Sequence, residues 1–282
     1  MAHRIFRWLG LLVLSVLTSL AAAAEQAPPG NRGMLRLTAS ATLAPLAAEV
    51  VETVQRKGGR IALNVVGSEV ALEQLSAGQA DAALISRSLS EGESRLLDGR
   101  IVGHDSLLLV VHERNPLTQI DDAGVRAIFS RQVSDWSQIG AGNGGAIVPV
   151  TRGLGNGTRT VVDTAFGIGR VVPAGIVELG TNLAVVLYVA ADPQAIGYVS
   201  SGAYERARQR GVGIKAVRLG GFTPSAQFCV GSHYPLCRPL LLVKRRHAPA
   251  TRELMLLEAT LGGPLGEDLF VRHGFAAPAV AP

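Results

Sequence analysis

Residues 151–160 read "TRGLGNGTRT", where glycines, arginines and threonines crowd together directly after the apolar run "AIVPV". The flanking patterns predict a strand over "AIVPVTR" and a helix over "RTVVDTAFGIG", so the loop joins a strand end to a helix start. Helix N-termini attract anions, and glycines let the backbone approach a ligand closely. Arg152 and Arg159 can add charge-assisted hydrogen bonds. Taken alone, the stretch is therefore consistent with an oxyanion-binding loop or with an ordinary connecting loop.

The same alternation of strand and helix extends along the chain on both sides of this loop. Upstream, the strands "MLRLTAS", "RIALNVVGS" and "ADAALIS" alternate with the helices "APLAAEVVETVQRKGG" and "EVALEQLSAGQ". Strands that alternate with helices are typical of βαβ units and a mainly parallel sheet. The sequence therefore predicts an α/β fold with helices on both faces of its sheets.

Three further strand-to-helix connections carry polar side chains that could face the same ligand. In open α/β sheets, ligands bind beyond the carboxyl ends of the strands, where these connections lie. A single serine or threonine before a helix is more often a plain helix cap, and a single arginine is more often a surface residue. The anion hypothesis therefore depends on the recurrence of such loops. Their polar residues are Ser40 and Thr42, Ser68 after Gly67, and Ser86 with Arg87.

The first 24 residues predict a cleaved secretory signal peptide. A short basic start precedes the apolar run "WLGLLVLSVLTSLAAAA", and a cut is expected after Ala24, with a Pro/Gly-rich leader over 25–33. No cysteine lies near that cut, so we expect a soluble, exported chain without a lipid anchor, periplasmic or secreted. Without this segment the chain is only mildly basic, which suits a small anionic partner better than a nucleic acid.

The only two cysteines, Cys229 and Cys237, lie close together in "QFCVGSHYPLCRP". In an exported protein such a pair predicts a disulfide. The alternative is a metal site that adds His233, but this cysteine spacing is not a usual zinc pattern and no second ligand pair is present.

Seven segments, in chain order, resemble the motifs of the PstS-like proteins, the periplasmic phosphate-binding proteins of the ABC-type phosphate importer. The resemblance covers nearly the whole mature chain. The segments are "TASATLAPLA", "VVGSEVALEQLSAGQADAALISR", "HDSLLLVVHERNP", "AIFSRQVSDWSQIG", "VTRGLGNGTRT", "DPQAIGYVS" and "YPLCRPLLL".

The resemblance implies a two-lobed periplasmic binding protein fold, type II-like, with a two-strand hinge that closes on a ligand. Lobe one would comprise residues 34–108 plus 238–282, and lobe two residues 109–237. We expect a monomer without cofactor or metal. Its partners would be inorganic phosphate or a similar oxyanion and the permease of an ABC importer.

The resemblance also assigns binding roles to particular residues. Two departures from the family's pattern are Asn156, which replaces a serine, and Arg87 with Leu154, which stand where some members carry acids that distinguish phosphate from sulfate. Glu69 is the one acid within a matched loop and is the candidate acceptor of a hydrogen bond from phosphate. The alternative is that Glu69 faces solvent in the first turn of a helix, where an acid suits the helix dipole. The ligand-binding residues expected are Thr42, Leu43, Ser68, Arg87, Arg152, Asn156, Gly157 and Thr158.

Other functions remain open on the sequence. The same fold could bind sulfate or another oxyanion, or act in sensing or scavenging. A phosphatase-type hydrolase is disfavoured because the chain carries no G-x-S-x-G or H-E-x-x-H motif. His104 and Asp105 are adjacent, but neighbours on a strand point to opposite faces, so a catalytic dyad is not expected.

Overall fold

The computed structural model describes residues 33–142, 144–169, 171–223, 229 and 234–278. Leu35–Pro282 forms one compact unit. The predicted signal peptide over 1–24, and the leader as far as residue 32, lie outside the described residues. No helix in the described ranges has both the length and the apolar character needed to cross a membrane.

Strands and helices alternate through the described chain as the sequence pattern predicts. The strands are β1 Leu35–Ser40, β2 Ile61–Val66, β3 Ala82–Ile85, β4 Leu97–His112, β5 Gln119–Ile120, β6 Val148–Arg152, β7 Val177–Leu179, β8 Ala195–Ser200, β9 Ile214–Ala216, β10 Arg218–Leu219 and β11 Cys237–Arg245. The helices are α1 Ala44–Arg56, α2 Ser68–Ser76, α3 Glu91–Leu96, α4 Asp122–Phe129, α5 Gly157–Phe166, α6 Asn182–Ala191, α7 Ser201–Gln209, α8 Arg252–Gly262 and α9 Pro264–Arg272, with a 3-10 turn at Trp136–Ile139.

One long strand connects two groups of parallel strands. The order is β2-β1-β3-β11-β4-β8-β6-β7, and β9 also pairs with β4. Within β2-β1-β3 and within β8-β6-β7 the pairs are parallel, whereas β11 and β4 pair antiparallel with their neighbours. The first half of β4 pairs with β11 and its second half with β8 and β9. The predicted α/β class is confirmed.

The hydrophobic core divides at the middle of β4. The first core region takes its buried side chains from residues 35–102 and 240–275. The second takes them from residues 107–236. Leu107 and Leu108 pack into different clusters of the second core region, because successive side chains on a strand point to opposite faces.

Helix α1 illustrates how the sequence pattern places these elements. Leu46, Val50 and Val54 recur at a spacing of four, are fully buried and face the first core region. A proline stands in the first turn, where the helix needs no N–H. The helix ends before Gly58, whose φ of 79° lies in the left-handed region that favours glycine.

The return from the second core region to the first carries the predicted disulfide, which is confirmed. Cys229 and Cys237 are bonded, with their Cα atoms 5.2 Å apart. Cys237 is the first residue of β11 and pairs with Ser106 of β4. The bond therefore holds Cys229 next to Asp105 of β4, at the point where the two core regions meet.

Helix α7 begins in very close contact with the C-terminal segment, and this contact requires glycine. A Cβ added at Gly202, the second residue of α7, would clash with the carbonyl oxygen of His273 and lie 3.0 Å from the Phe275 ring. We predict that Gly202→Ala lowers the free energy of unfolding by roughly 1–3 kcal/mol, because backbone atoms must shift. Urea denaturation followed by circular dichroism measures the change.

The matched control is Gly92→Ala, since Gly92 is also the second residue of a helix, α3, but has open space around its Cα. Alanine there should be neutral or stabilise by up to about 1 kcal/mol. Equal effects of the two substitutions would contradict the contact assigned to Gly202.

Candidate functional site

A buried ion pair lies where the two core regions meet. Arg238 of β11 stands directly across from Asp105 of β4 in the antiparallel pair. Its Nε and Nη2 donate to Asp105 Oδ2 at 2.9 and 2.6 Å, and both side chains are fully enclosed, at 1% and 0% exposure. Burial lowers the pKa of Arg238, and the attraction of Asp105 opposes that shift. The guanidinium is therefore fixed in position by its partner strand.

Asp105 also binds the start of α7. Its second oxygen, Oδ1, accepts from the Ser201 backbone N–H at 3.1 Å and from the Ser201 hydroxyl at 2.9 Å. A carboxylate at a helix N-terminus is stabilised by the unpaired N–H groups there. One carboxylate thus joins β4, β11 and α7.

Two threonines from different core regions meet beside this ion pair. Thr42 follows β1, and Thr158 lies in the first turn of α5; their hydroxyl oxygens are 3.3 Å apart and both side chains are buried. Arg238 Nη1 donates to Thr158 Oγ1 at 3.0 Å, and its Nη2 lies 3.5 Å from Thr42 Oγ1. Two of the residues expected to bind the ligand therefore share one cation that the sequence analysis did not select.

A group of buried serine hydroxyls lies next to these threonines. Ser86 Oγ is 3.1 Å from Ser40 Oγ and 3.4 Å from Ser68 Oγ, and the Ser86 N–H donates to Ser68 Oγ at 3.3 Å. A Cβ added at Gly157 would lie 2.8 Å from Ser68 Oγ and 3.3 Å from Ser86 Oγ. Only glycine permits this approach, which brings the start of α5 against the serines.

The glycine loop forms the N-terminal cap of α5. Gly155 has a φ of 76°, in the left-handed region, and Asn156 is the N-cap residue. The amide oxygen of Asn156 accepts from the Thr158 N–H at 2.9 Å. In the same way, the Leu43 N–H donates to the Ser40 carbonyl at 2.8 Å, and the Leu43 side chain is core. Two backbone donors expected to face a ligand therefore have local acceptors here.

Arg152 is a buried cation whose hydrogen-bond acceptors are all neutral. Its guanidinium donates to the carbonyls of Leu179 at 3.1 Å and Gly180 at 2.7 Å and to the amide oxygen of Asn182 at 2.9 Å. Burial lowers the pKa of Arg152 to about 10, and the nearby charge of Arg238 adds to that shift. Within the described ranges, no carboxylate forms an ion pair with it.

A polar path connects the two buried arginines. The Asn182 side chain, which holds Arg152, donates to the Ser200 hydroxyl at 3.3 Å. Ser200 caps α7 by accepting from the Ala203 N–H at 3.2 Å, and the next residue, Ser201, binds Asp105. The start of α7 therefore lies between Arg152 and the ion pair of Arg238.

Arg87 binds a carboxylate of its own chain segment. Its Nη1 and Nη2 donate to the two oxygens of Glu93 at 2.9 and 2.8 Å. This contact lowers the pKa of Glu93 to about 2. The Nε of Arg87 is buried and has no hydrogen-bond partner. Most of the charge of Arg87 is thus balanced by Glu93.

Glu69, the candidate acceptor, lies in the first turn of α2 and is half-buried. Its Oε2 lies 3.3 Å from the position that a Cβ at Gly155 would take, so the carboxylate faces the glycine loop. It also lies close enough to Arg87 to raise that residue's pKa.

Asp105 and Arg238 were not predicted from the sequence as residues of this site. The signal available was a charged residue inside each of two apolar strand patterns, "HDSLLLVV" and "CRPLLLV". Charged residues are rarely fully buried unless paired, so an acid and a base in two such strands predict a pair if the strands are neighbours. The spacing of residues along the sequence does not show that β4 and β11 are neighbours in the sheet.

Polar loops from two core regions that meet at buried arginines define a binding-protein architecture of the periplasmic binding protein type. The model of the PBP superfamily domain matches residues 24–255, and the chain belongs to this family. The predicted resemblance to the PstS-like proteins is confirmed at the level of fold by the solved structures that follow. No sequence among curated proteins matches the chain significantly.

Three solved structures show what the fold is similar to. A putative phosphate ABC transporter substrate-binding protein with bound phosphate, from Clostridium perfringens, is 20% identical with a TM-score of 0.78, over 87% of this chain and 99% of that chain. An ABC-type phosphate transport receptor from Vibrio cholerae is 25% identical with a TM-score of 0.73, over 86% and 100%. The CcmR regulatory domain of Synechocystis in complex with 2-PG is 16% identical with a TM-score of 0.60, over 82% and 96%.

Proposed function

We propose that this protein captures inorganic phosphate at the cluster formed by Thr42, Thr158, Ser68, Gly157 and Arg152, and delivers it to the permease of an ABC-type importer. The observation that carries the proposal is the buried charge of Arg152, whose hydrogen-bond acceptors within the described part of the chain are all neutral. The structural neighbours from Clostridium perfringens and Vibrio cholerae, a phosphate-bound transporter protein and a phosphate transport receptor, support the choice of ligand.

The charge balance of the cluster favours an anion. Arg238 is neutralised by Asp105 and Arg87 by Glu93, whereas Arg152 has no such partner in the described ranges. A buried cation without a counter-charge costs several kcal/mol. A bound oxyanion would supply that charge and would accept from the N–H groups of Arg152 that the three neutral acceptors leave over.

The donors around the cluster suit a tetrahedral oxyanion. Thr42, Ser68 and Thr158 supply hydroxyls, and the backbone of Gly157 lies at the positive end of α5. These groups come from both core regions, so a ligand bound among them would hold the two regions together. We propose that the regions are the two lobes, residues 34–108 plus 238–282 and residues 109–237, and that they close on the ligand by a hinge.

The remaining expectations form part of the same proposal. The chain is exported with its signal peptide removed after Ala24, acts as a monomer and performs no catalysis. The second candidate is a binding protein for sulfate or another oxyanion, with a sensing or scavenging role. Arg87 and Leu154, which occupy positions where phosphate-selective relatives carry acids, favour that candidate.

The first test removes the unbalanced cation. We predict that Arg152→Gln weakens phosphate binding about 30–1000-fold, equivalent to about 2–4 kcal/mol, because a charge-assisted contact to a desolvated anion is lost. Isothermal titration calorimetry of the mature protein with phosphate measures the dissociation constant. The control is Arg208→Gln, since Arg208 is exposed on α7 and forms an ion pair with the neighbouring Glu205 of the same helix. Similar small effects of both substitutions would remove the support for the site.

The second test concerns the choice between phosphate and sulfate. Sulfate has no proton to donate at neutral pH, so an anionic acceptor repels it and accepts a bond from phosphate. We propose that Glu69 is this acceptor, and we predict that Glu69→Gln raises sulfate affinity relative to phosphate by about tenfold. The control is Glu73→Gln on the same helix. Competition titrations at neutral pH measure the ratio, and an unchanged ratio would leave Glu69 as a solvent-facing residue.

A further inference from the structure

Arg238 contacts one threonine hydroxyl from each of the two core regions, Thr42 and Thr158. We propose that Arg238, held by Asp105, is a positioning residue that fixes the hydroxyls of Thr42 and Thr158 as hydrogen-bond donors to the bound oxyanion, so that the site selects the less protonated form of its ligand. This inference rests on the proposed function, since it concerns the same anion.

The position of Arg238 is set by the sheet rather than by a flexible loop. It stands on β11 opposite Asp105, and two of its nitrogens donate to one carboxylate oxygen. That carboxylate is in turn held by Ser201 at the start of α7. The Arg238 side chain is only 1% exposed and so has no solvent-facing alternative. Its terminal nitrogens therefore remain directed at the two threonines.

The contact with Arg238 determines where the hydroxyl hydrogens of Thr42 and Thr158 can point. A threonine hydroxyl has one hydrogen to donate and two positions at which it accepts, whereas a guanidinium only donates. Where Arg238 occupies an accepting position on Thr158 and on Thr42, each hydroxyl hydrogen points elsewhere. One of the two hydrogens bridges the 3.3 Å between the hydroxyl oxygens. A bound oxyanion can accept both hydrogens.

Fixed donors discriminate between protonation states of phosphate. The dianion carries a single P–OH group, which Glu69 could accept, and its other oxygens are pure acceptors. The monoanion carries a second P–OH group, which must then face a group that also donates. Two donors that face each other lose a hydrogen bond in a buried site. The site should therefore favour the dianion beyond the preference set by charge alone.

Other charged and titratable groups near Arg238 do not account for such a preference. Arg152 of β6 lies near enough for the charge of Arg238 to lower its pKa, Arg206 lies on α7 near Asp105, and Tyr234 precedes β11. Burial lowers the pKa of Arg152 to about 10 and raises that of Tyr234, so both keep their protons at neutral and mildly acidic pH. His104, the neighbour of Asp105 on β4, points to the opposite face of the strand, and burial lowers its pKa. All four groups are kept in every variant below.

The test compares phosphate dissociation constants below and above the second ionisation of phosphate, at about pH 5 and about pH 8, by calorimetry on the mature protein. The variants are Arg238→Lys, which keeps a charged group that only donates, and the double change Asp105→Asn with Arg238→Gln. The double change removes both charges of the ion pair, so neither partner is left as an unpaired buried charge, and its amides can accept as well as donate. Thr158→Val, which removes one hydroxyl and leaves the ion pair intact, is the second line of evidence if the double variant does not fold.

We expect wild type and Arg238→Lys to share the same ratio of the phosphate dissociation constant at about pH 5 to that at about pH 8. In the double variant and in Thr158→Val the ratio should fall by about tenfold, toward the value set by charge alone. An equal loss of affinity at both pH values would leave the ratio at its wild-type value. This result would assign Arg238 a structural role only and overturn the proposal. A wild-type protein that binds phosphate at neither pH would overturn the proposed function itself and this inference with it.

Discussion

The buried ion pair of Asp105 and Arg238 is the interaction on which the arrangement of the site depends. It is formed across β4 and β11 at the point where one core region gives way to the other. A buried pair adds little net stability compared with apolar residues, but removal of one partner leaves an uncompensated charge at a cost of about 3–5 kcal/mol. The pair therefore restricts the geometry: β4, β11 and α7 must meet at one place, with the disulfide of Cys237 one residue away.

The other polar groups of the site are positioned around this ion pair. The guanidinium of Arg238 holds Thr42 and Thr158, and the approach of Gly157 to Ser68 brings α5 against the serine hydroxyls. The network through Asn182 and Ser200 places the second arginine, Arg152, among neutral acceptors. The result is a buried, hydroxyl-rich cluster with one positive charge that no described side chain balances, and this excess charge is the physical basis for an anionic ligand.

The strands, the helices and the loops that meet at the site could be predicted from the sequence better than the side-chain contacts within the site. The glycine loop and the strand ends at Thr42 and Ser68 could be identified because turn chemistry and strand–helix alternation are local properties. The ion pair could not, since it depends on which strands become neighbours in the sheet. The partners of Arg87 and the cap formed by Asn156 were also missed. In both cases a short-range hydrogen bond, to Glu93 and to the Thr158 N–H, competes with the ligand contact that the family pattern implies.

The central claim is that an oxyanion is the missing counter-charge of this cluster, bound between the two threonines. A crystal structure of the mature protein grown with inorganic phosphate tests it most directly. The account predicts tetrahedral density within hydrogen-bond distance of both the Thr42 and Thr158 hydroxyls, with Arg152 close enough to neutralise it. Phosphate bound at another place, or a cluster that remains empty at saturating phosphate with the contact between Thr42 and Thr158 intact, would contradict it.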